Sequence, residues 1–164
     1  MRIARIEPGP GQESVWDFPR PPRVEPVRER VTVELAGRVI VDTDRALRVL
    51  ETSHPPAYYL PVDAFEGAEL LEAPGASFCE FKGAARYLSL RVGDRVAEGA
   101  LWTYPRPSPG YEALAGTVSL YPGRVDRCTV GGEVVQPQEG GFYGGWITSK
   151  VVGPFKGARG TLGW

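Results

Sequence analysis

Three short stretches gather the side chains able to do chemistry. The first is Glu51-Thr52-Ser53-His54-Pro55-Pro56-Ala57-Tyr58-Tyr59. It sets an acid, two hydroxyls, an imidazole and two phenols beside a rigid Pro-Pro. A loop with fixed φ angles can present Glu51 or His54 as a general base. The plainer reading makes Glu51 a strand-end carboxylate accepting backbone N–H groups, leaves His54 in solvent and buries both tyrosines in a core. The second stretch is Ser77-Phe78-Cys79-Glu80-Phe81-Lys82-Gly83. Gly83 permits a tight turn that pushes the Lys82 ammonium into a pocket, with Phe78 and Phe81 stripping water from it. Such a lysine serves as an amine nucleophile, or as the point charge of an anion site alongside backbone N–H donors. The alternative is an ordinary turn lysine. Cys79 reads as an inert thiol more readily than as a nucleophile. The third stretch, Trp102-Thr103-Tyr104-Pro105-Arg106-Pro107, joins Tyr58, Tyr59, Tyr87 and Tyr121 in offering aromatic faces to a planar or cationic ligand. It also suits an aromatic core.

Together these stretches nominate Glu51 and Lys82 as candidate catalytic groups and Tyr58, Tyr87, Trp102 and Tyr104 as candidate ligand-binding groups. No metal and no cofactor is expected. Asp42-x-Asp44 has the spacing on which a nucleotidyltransferase holds Mg²⁺, but Ala36-Gly37-Arg38 stands where a Gly-Ser element should precede it. Two cysteines and the single His54 cannot complete a Cys/His zinc tetrahedron, and neither cysteine lies in a C-x-x-C pair. Patterns for a phosphate-binding loop, a dinucleotide fold, a nucleophile elbow or a zinc protease are missing.

Lysine usage adds a clue. Of 19 basic residues only Lys82, Lys150 and Lys156 are not arginine, so a lysine here hints at a need for a compact amine. Two of the three sit in echoing strings, Phe81-Lys82-Gly83-Ala84-Ala85-Arg86 and Phe155-Lys156-Gly157-Ala158-Arg159.

The elements that must position these groups are β-strands. Gly and Pro fill 37 of 164 positions, about twice the usual share, and each is costly inside a helix. An apolar fraction of 42% with a net charge of −1 suits a folded domain. Alternating or β-prone runs predict strands near 31–35, 39–41, 46–52, 58–60, 69–72, 85–92, 95–104, 117–121, 125–130 and 133–135. The run 46–52 also fits a short helix capped by Asp44, and a single helical turn is expected near 61–65. Residues 1–29, with six prolines, read as an arm that docks through Trp16 and Phe18. Residues 30–135 form the β-rich core domain, and 136–164 form a Gly/aromatic tail packed on it. The near-equal 20 acids and 19 bases give no basic excess for nucleic acid or a polybasic membrane contact. No apolar run approaches a membrane span, and the charged start lacks a signal-peptide core. The expected location is the cytoplasm.

The same strings resemble a bacterial family known as domain of unknown function 427, sometimes labelled a nucleotidyltransferase. The carriers are Glu51-Thr52-Ser53-His54-Pro55-Pro56 with Tyr58, Tyr59 and Pro61; Phe78-Cys79 and Phe81-Lys82-Gly83; Trp102, Tyr104 and Pro107; and Tyr121 with Val125-Asp126. The arm adds Gly11-Gln12-Glu13-Ser14-Val15-Trp16-Asp17, and the tail adds Gly144-Gly145-Trp146-Ile147-Thr148 and Gly153-Pro154-Phe155-Lys156-Gly157. The resemblance implies a mainly β, single-domain fold of the β-tent class, shared with methionine sulfoxide reductase B and the cereblon ligand-binding domain, here in a zinc-free version. It brings no established reaction and no catalytic residues. The function expected is binding of a small anionic or planar molecule in a polar-aromatic cleft, with catalysis unassigned. The alternative is a non-catalytic interaction module, a homodimer held by arm and tail.

Overall fold

Short antiparallel strands make up most of the structure, a computed structural model that describes residues 3–164. Residues 1 and 2, where the arm begins, lie outside the described residues. Strands β1 (Glu13–Ser14) and β2 (Arg23–Pro26) come from the arm. The body supplies β3 (Val31–Leu35), β4 (Arg38–Thr43), β5 (Leu47–Leu50), β6 (Ala57–Pro61), β7 (Glu69–Cys79), β8 (Gly83–Val92), β9 (Arg95–Thr103), β10 (Thr117–Leu120), β11 (Arg127–Val130) and β12 (Glu133–Val134). The tail supplies β13 (Gln136–Pro137), β14 (Trp146–Ile147) and β15 (Val151–Val152). The fold is mainly β; the described residues hold four single-turn 3₁₀ segments and no α-helix. Among the described residues no helix is long and apolar enough to cross a membrane.

Seven strands pair in the order β2-β5-β6-β10-β9-β8-β7, and four in the order β12-β11-β3-β4, antiparallel throughout. The smaller sheet packs on one face of the larger. Val31, Val33 and Leu35 of β3 alternate with Thr32 and Glu34, and the three apolar side chains meet Leu60, Leu90, Leu101 and Val118 of the larger sheet. The other face of the seven-stranded sheet carries Val49, Tyr59, Ala85, Trp102 and Tyr104. The larger sheet is therefore apolar on both faces, and the second face requires a cover.

Arm and tail provide part of that cover. β1 pairs with β15 in parallel, Glu13 with Val151. Val15 and Phe18 pack with Leu50 and Val151. Trp16 donates its indole N–H to the Pro154 carbonyl at 2.8 Å and sits edge-on to Trp164. Arg48 of β5 bridges Glu13 at 2.9 Å and Glu25 at 2.5 Å, fastening both arm strands to the sheet. Arg23–Pro26 goes further than docking, because it forms the edge strand beside β5. Pro26 is tolerated there because an edge strand need not donate on its open side.

One further expectation changes in detail. The strand expected at 69–72 runs on to Cys79, and Ser77–Cys79 is strand instead of loop. A register shift between Glu72 and Ala76 absorbs Pro74 and Gly75, and β7 lies at the sheet edge where such irregularity is cheap. The ambiguous 46–52 run is the strand β5, and the expected turn at 61–65 is a 3₁₀ segment, Val62–Ala64.

The β3–β4 hairpin turns through Ala36 and Gly37 at φ 54° and 74°. Both angles belong to a two-residue loop that prefers Asn-Gly. Ala36 is exposed, so replacing it leaves packing alone. Ala36→Asn is expected to stabilise the protein by about 0.5–1 kcal/mol, read as a rise of a few degrees in melting temperature. A fall would contradict the local conformation described.

Candidate functional site

Alternation decides what reaches the second face of the large sheet. Ala57 and Tyr59 of β6, Ala85 and Tyr87 of β8, and Trp102 with Tyr104 at the end of β9 all point to it. Tyr58, one residue from Tyr59, points to the other face. It stacks on Trp146 with ring centroids 4.7 Å apart, in the core between the sheets. Tyr58 is therefore a correction to the expected cleft, and Tyr59 takes its place. The parity was hidden because Tyr58, Tyr59 and Leu60 are all buried, at 5%, 1% and 0% exposure.

Three segments stand around the aromatic face and border a cavity of about 280 Å³ that is partly open to solvent. They are the loop after β5 with Glu51, His54 and Pro55, the β7–β8 turn with Cys79 to Lys82, and the tail with Gln138, Phe142 to Gly145 and Lys156. Tyr59, Trp102 and Tyr104 are the buried aromatic residues of the lining. Trp102 donates its indole N–H to the Tyr59 hydroxyl at 3.2 Å. Burial pushes the Tyr59 and Tyr104 phenols well above their ordinary pKa, so both stay neutral hydrogen-bonding groups. Tyr87 donates to Ser77 Oγ at 3.0 Å and braces β7 against β8.

Lys82 is 8% exposed. Its burial does not come from Phe78, which is 76% exposed. Tyr104 lies beside the ammonium, its ring centroid 5.6 Å from Nζ, and the 106–108 segment runs against the Lys82 backbone, where Ser108 N–H donates to the Lys82 carbonyl at 2.9 Å. Gly83 makes this approach feasible. It holds φ 110°, and a Cβ there would stand 3.2 Å from the Arg106 carbonyl oxygen. Among the described residues no carboxylate pairs with Lys82 and no hydrogen bond reaches its Nζ. Lys156 enters the same cavity from the tail, with Nζ 5.4 Å from the Tyr143 ring centroid and 3.4 Å from the Trp164 main-chain oxygen. Lys150, the third lysine, is outside the cavity and pairs with Glu29.

Glu51 and His54 occupy one wall. Arg20 Nη2 lies 3.4 Å from Glu51 Oε2, and His54 Nδ1 lies 3.9 Å from the same oxygen. His54 is not the solvent residue of the plainer reading; only 15% of its side chain is exposed, and Tyr143 packs edge-on against it. Burial lowers the His54 pKa, with Lys156 and Arg20 adding to the effect and Glu51 and the Thr52 carbonyl opposing it. The neutral ring donates from Nδ1 to the Thr52 carbonyl at 3.0 Å, which leaves Nε2 as the lone-pair nitrogen. In the unfolded chain a histidine protonates near pH 6.5, about its reference value. The folded protein takes up that proton at lower pH, so His54 supports stability fully above about pH 6.5 and loses that support as pH falls toward its folded pKa. Urea unfolding from pH 5 to 7.5 is expected to show a shallower loss of stability on acidification in His54→Gln than in the parent chain. Equal slopes would contradict the burial assigned here.

The tail lies close to the aromatic face because its glycines allow it. A Cβ on Gly144 would meet Trp102 Cη2 at 2.2 Å, and one on Gly145 would meet Pro55 Cγ at 2.5 Å. Gln138 clips the segment: its Oε1 accepts from Gly145 N–H at 3.0 Å and its Nε2 donates to the Lys156 carbonyl at 2.6 Å. Of the residues nominated from sequence, Glu51, Lys82, Tyr87, Trp102 and Tyr104 border the cavity. Gln138, Tyr143 and Lys156 were not nominated; the repeated Phe-Lys-Gly string was the one signal pointing to Lys156. Asp42 pairs with Arg30 in solvent, away from the cavity. Cys79 borders the cavity half-buried, whereas burial in the core pushes the Cys128 thiol far above its ordinary pKa.

A family model described as a domain of unknown function, DUF427, matches residues 23–131. The matched span starts at β2 and ends just after β11, so Gln138, Tyr143 and Lys156 lie beyond it. No curated protein matches the chain. The family's short name carries a nucleotidyltransferase label, which the side chains around the cavity do not by themselves explain. With two thirds of its length inside that model, the chain belongs to the DUF427 family.

Proposed function

We propose that the cavity binds a small molecule with an anionic group beside a planar apolar part. Lys82 carries this reading. A buried ammonium without a counter-ion is costly, and Lys82 is 8% exposed with one aromatic face as its nearest described partner for charge. An anion entering the cavity supplies the missing partner. The Tyr59, Trp102 and Tyr104 rings offer the planar part an apolar seat. The volume, about 280 Å³, is near the lower end for small-molecule sites. Within this reading Lys82 holds the anion, and Glu51, beside His54, is the group placed to exchange a proton with the bound molecule. The reading of arm and tail as adhesive elements between copies is less well supported, because Val15, Trp16 and Phe18 pack within this chain.

Thermal unfolding with benzoate, phenyl phosphate, sugar phosphates and nucleoside monophosphates tests the proposal, with phenol and benzamide as uncharged controls. A ligand at 100 times its dissociation constant adds about 2.7 kcal/mol, a rise of roughly 5–10 °C for a chain of this size. Planar anions are expected to raise the melting temperature and the uncharged controls are not. No response to any anion, or an equal response to the controls, would contradict it.

A further inference from the structure

The Glu51-Thr52-Ser53-His54 loop is fastened by the arm, by the tail and by its own turn. Thr52 Oγ1 donates to the Phe18 carbonyl at 2.6 Å, and Ser53 N–H donates to the Val15 carbonyl at 3.0 Å. From the tail, Lys156 N–H donates to the Ser53 carbonyl at 2.8 Å. His54 N–H closes the turn onto the Glu51 carbonyl at 3.0 Å. The imidazole is fixed as well: Nδ1 meets the Thr52 carbonyl, and the Tyr143 ring stands edge-on with centroids 5.1 Å apart. Nε2, the lone-pair nitrogen, has no hydrogen-bond partner among the described residues. It is not sealed off either, since Ser53 Oγ is the one side-chain polar atom described as both buried and unpartnered. Nε2 is therefore an open acceptor on a rigid mount, and the open space that His54 borders is the cavity.

The neighbouring polar groups of the wall only donate or are already engaged. Lys82 and Lys156 have no acceptor to offer. The Tyr59 hydroxyl accepts from Trp102, Gln138 uses both ends of its amide, and Glu51 faces Arg20. A ligand that displaces water from Nε2 leaves this acceptor unpaired unless it brings a donor, and an unpaired buried acceptor bears the full desolvation penalty. We infer that the ligand of this cavity is a hydroxylated planar anion whose hydroxyl donates to His54 Nε2. The inference rests on the anion-binding reading above and adds a second recognition group. A site built to bond a ligand hydroxyl rejects the analogue that lacks it, so His54 sets specificity.

Calorimetric titration at pH 7.5 with benzoate and its ortho, meta and para hydroxy and methoxy derivatives tests it. The three positions sample the separation between carboxylate and donor. At least one hydroxybenzoate is expected to bind at least tenfold tighter than benzoate, with no such gain from its methoxy counterpart. His54→Phe is expected to shrink that gap to about twofold, and circular dichroism checks that the variant folds. No gain from any hydroxyl, an equal gain from the methoxy group, or an unchanged gap in His54→Phe overturns the inference while leaving anion binding intact. Failure of benzoate and every derivative to bind removes the underlying reading instead. A second measurement needs no variant. His54 is the one histidine of the chain, so ring ¹⁵N labelling reports on it alone. Nε2 is expected to be the unprotonated nitrogen at pH 7.5, and its signal to move toward the protonated shift with the tightest hydroxybenzoate but not with benzoate. A proton on Nε2 in the free protein, or the same response to both ligands, overturns the inference.

Discussion

Lys82→Met is expected to leave the ligand-free protein as stable as its parent, or up to about 1 kcal/mol more stable, while weakening planar anions about a hundredfold. The two signs have one cause. Without ligand, Lys82 is a buried charge facing a tyrosine ring, and replacing an uncompensated buried ion by an apolar side chain of similar length removes a desolvation penalty. With ligand, the same substitution leaves a buried anion short of its partner, a loss on the order of 2–5 kcal/mol; a hundredfold is about 2.7 kcal/mol. Thermal unfolding of the free protein and calorimetry with phenyl phosphate read the two halves separately. If Lys82→Met loses more than about 2 kcal/mol of stability without ligand, Lys82 is holding the fold and the binding role fails. Lys82→Arg is a useful companion, since the charge remains but the wider guanidinium does not suit a turn this tight.

Gly157→Ala is expected to be the most damaging single-methyl change in the tail, at about 3 kcal/mol or more. Two effects add. The residue holds φ 130°, which L side chains rarely adopt, and the new Cβ would lie 2.2 Å from the Glu139 carbonyl oxygen. Backbone strain of this kind alone costs about 1–3 kcal/mol, and the contact is with main chain that cannot rotate away. Gly160→Ala isolates the first effect, because Gly160 holds φ 88° with nothing within 4 Å of the added carbon. It is expected to cost about 1–2 kcal/mol. Melting temperatures of the two variants decide the matter; equal losses would mean that Gly157 does not lie against the Glu139 main chain. Gly157→Ala should also weaken phenyl phosphate, because Lys156 precedes it and borders the cavity.

The β architecture was legible where one face of a strand is polar, and unreadable where both faces are buried. β3 shows its alternation openly: Val31, Val33 and Leu35 are buried, while Thr32 and Glu34 are partly open. β6 shows none, because Tyr58 meets the core between the sheets and Tyr59 meets the cavity. Choosing between the two tyrosines needs knowledge of what lies on each side of the sheet. The strand expected at 69–72 stops short of Pro74-Gly75, but the edge position of β7 lets a register shift carry the strand through them. Arg23–Pro26 falls within the expected arm, and an edge position again accommodates the proline.

The candidate site divides in a similar way. Glu51, Lys82, Tyr87, Trp102 and Tyr104 sit in dense polar-aromatic strings near rigid turns, which is why composition drew attention to them. The far wall is built by contacts distant in sequence. Gly144 lies flat on Trp102, Gln138 bonds Gly145 and Lys156, and Tyr143 packs on His54. No local pattern reports a glycine chosen for the ring it must lie against. The repeated Phe-Lys-Gly string is the exception, since it marked both lysines before either could be placed in space.

The central claim is that an anion completes Lys82. A crystal structure of the protein grown with phenyl phosphate tests it most directly. The account expects the phosphate oxygens within about 3 Å of Lys82 Nζ, the range of a charge-assisted hydrogen bond, with the ring against the Tyr59, Trp102 and Tyr104 face. An empty cavity at saturating ligand, or phosphate bound only elsewhere on the surface while Lys82 keeps its place beside Tyr104, would contradict it.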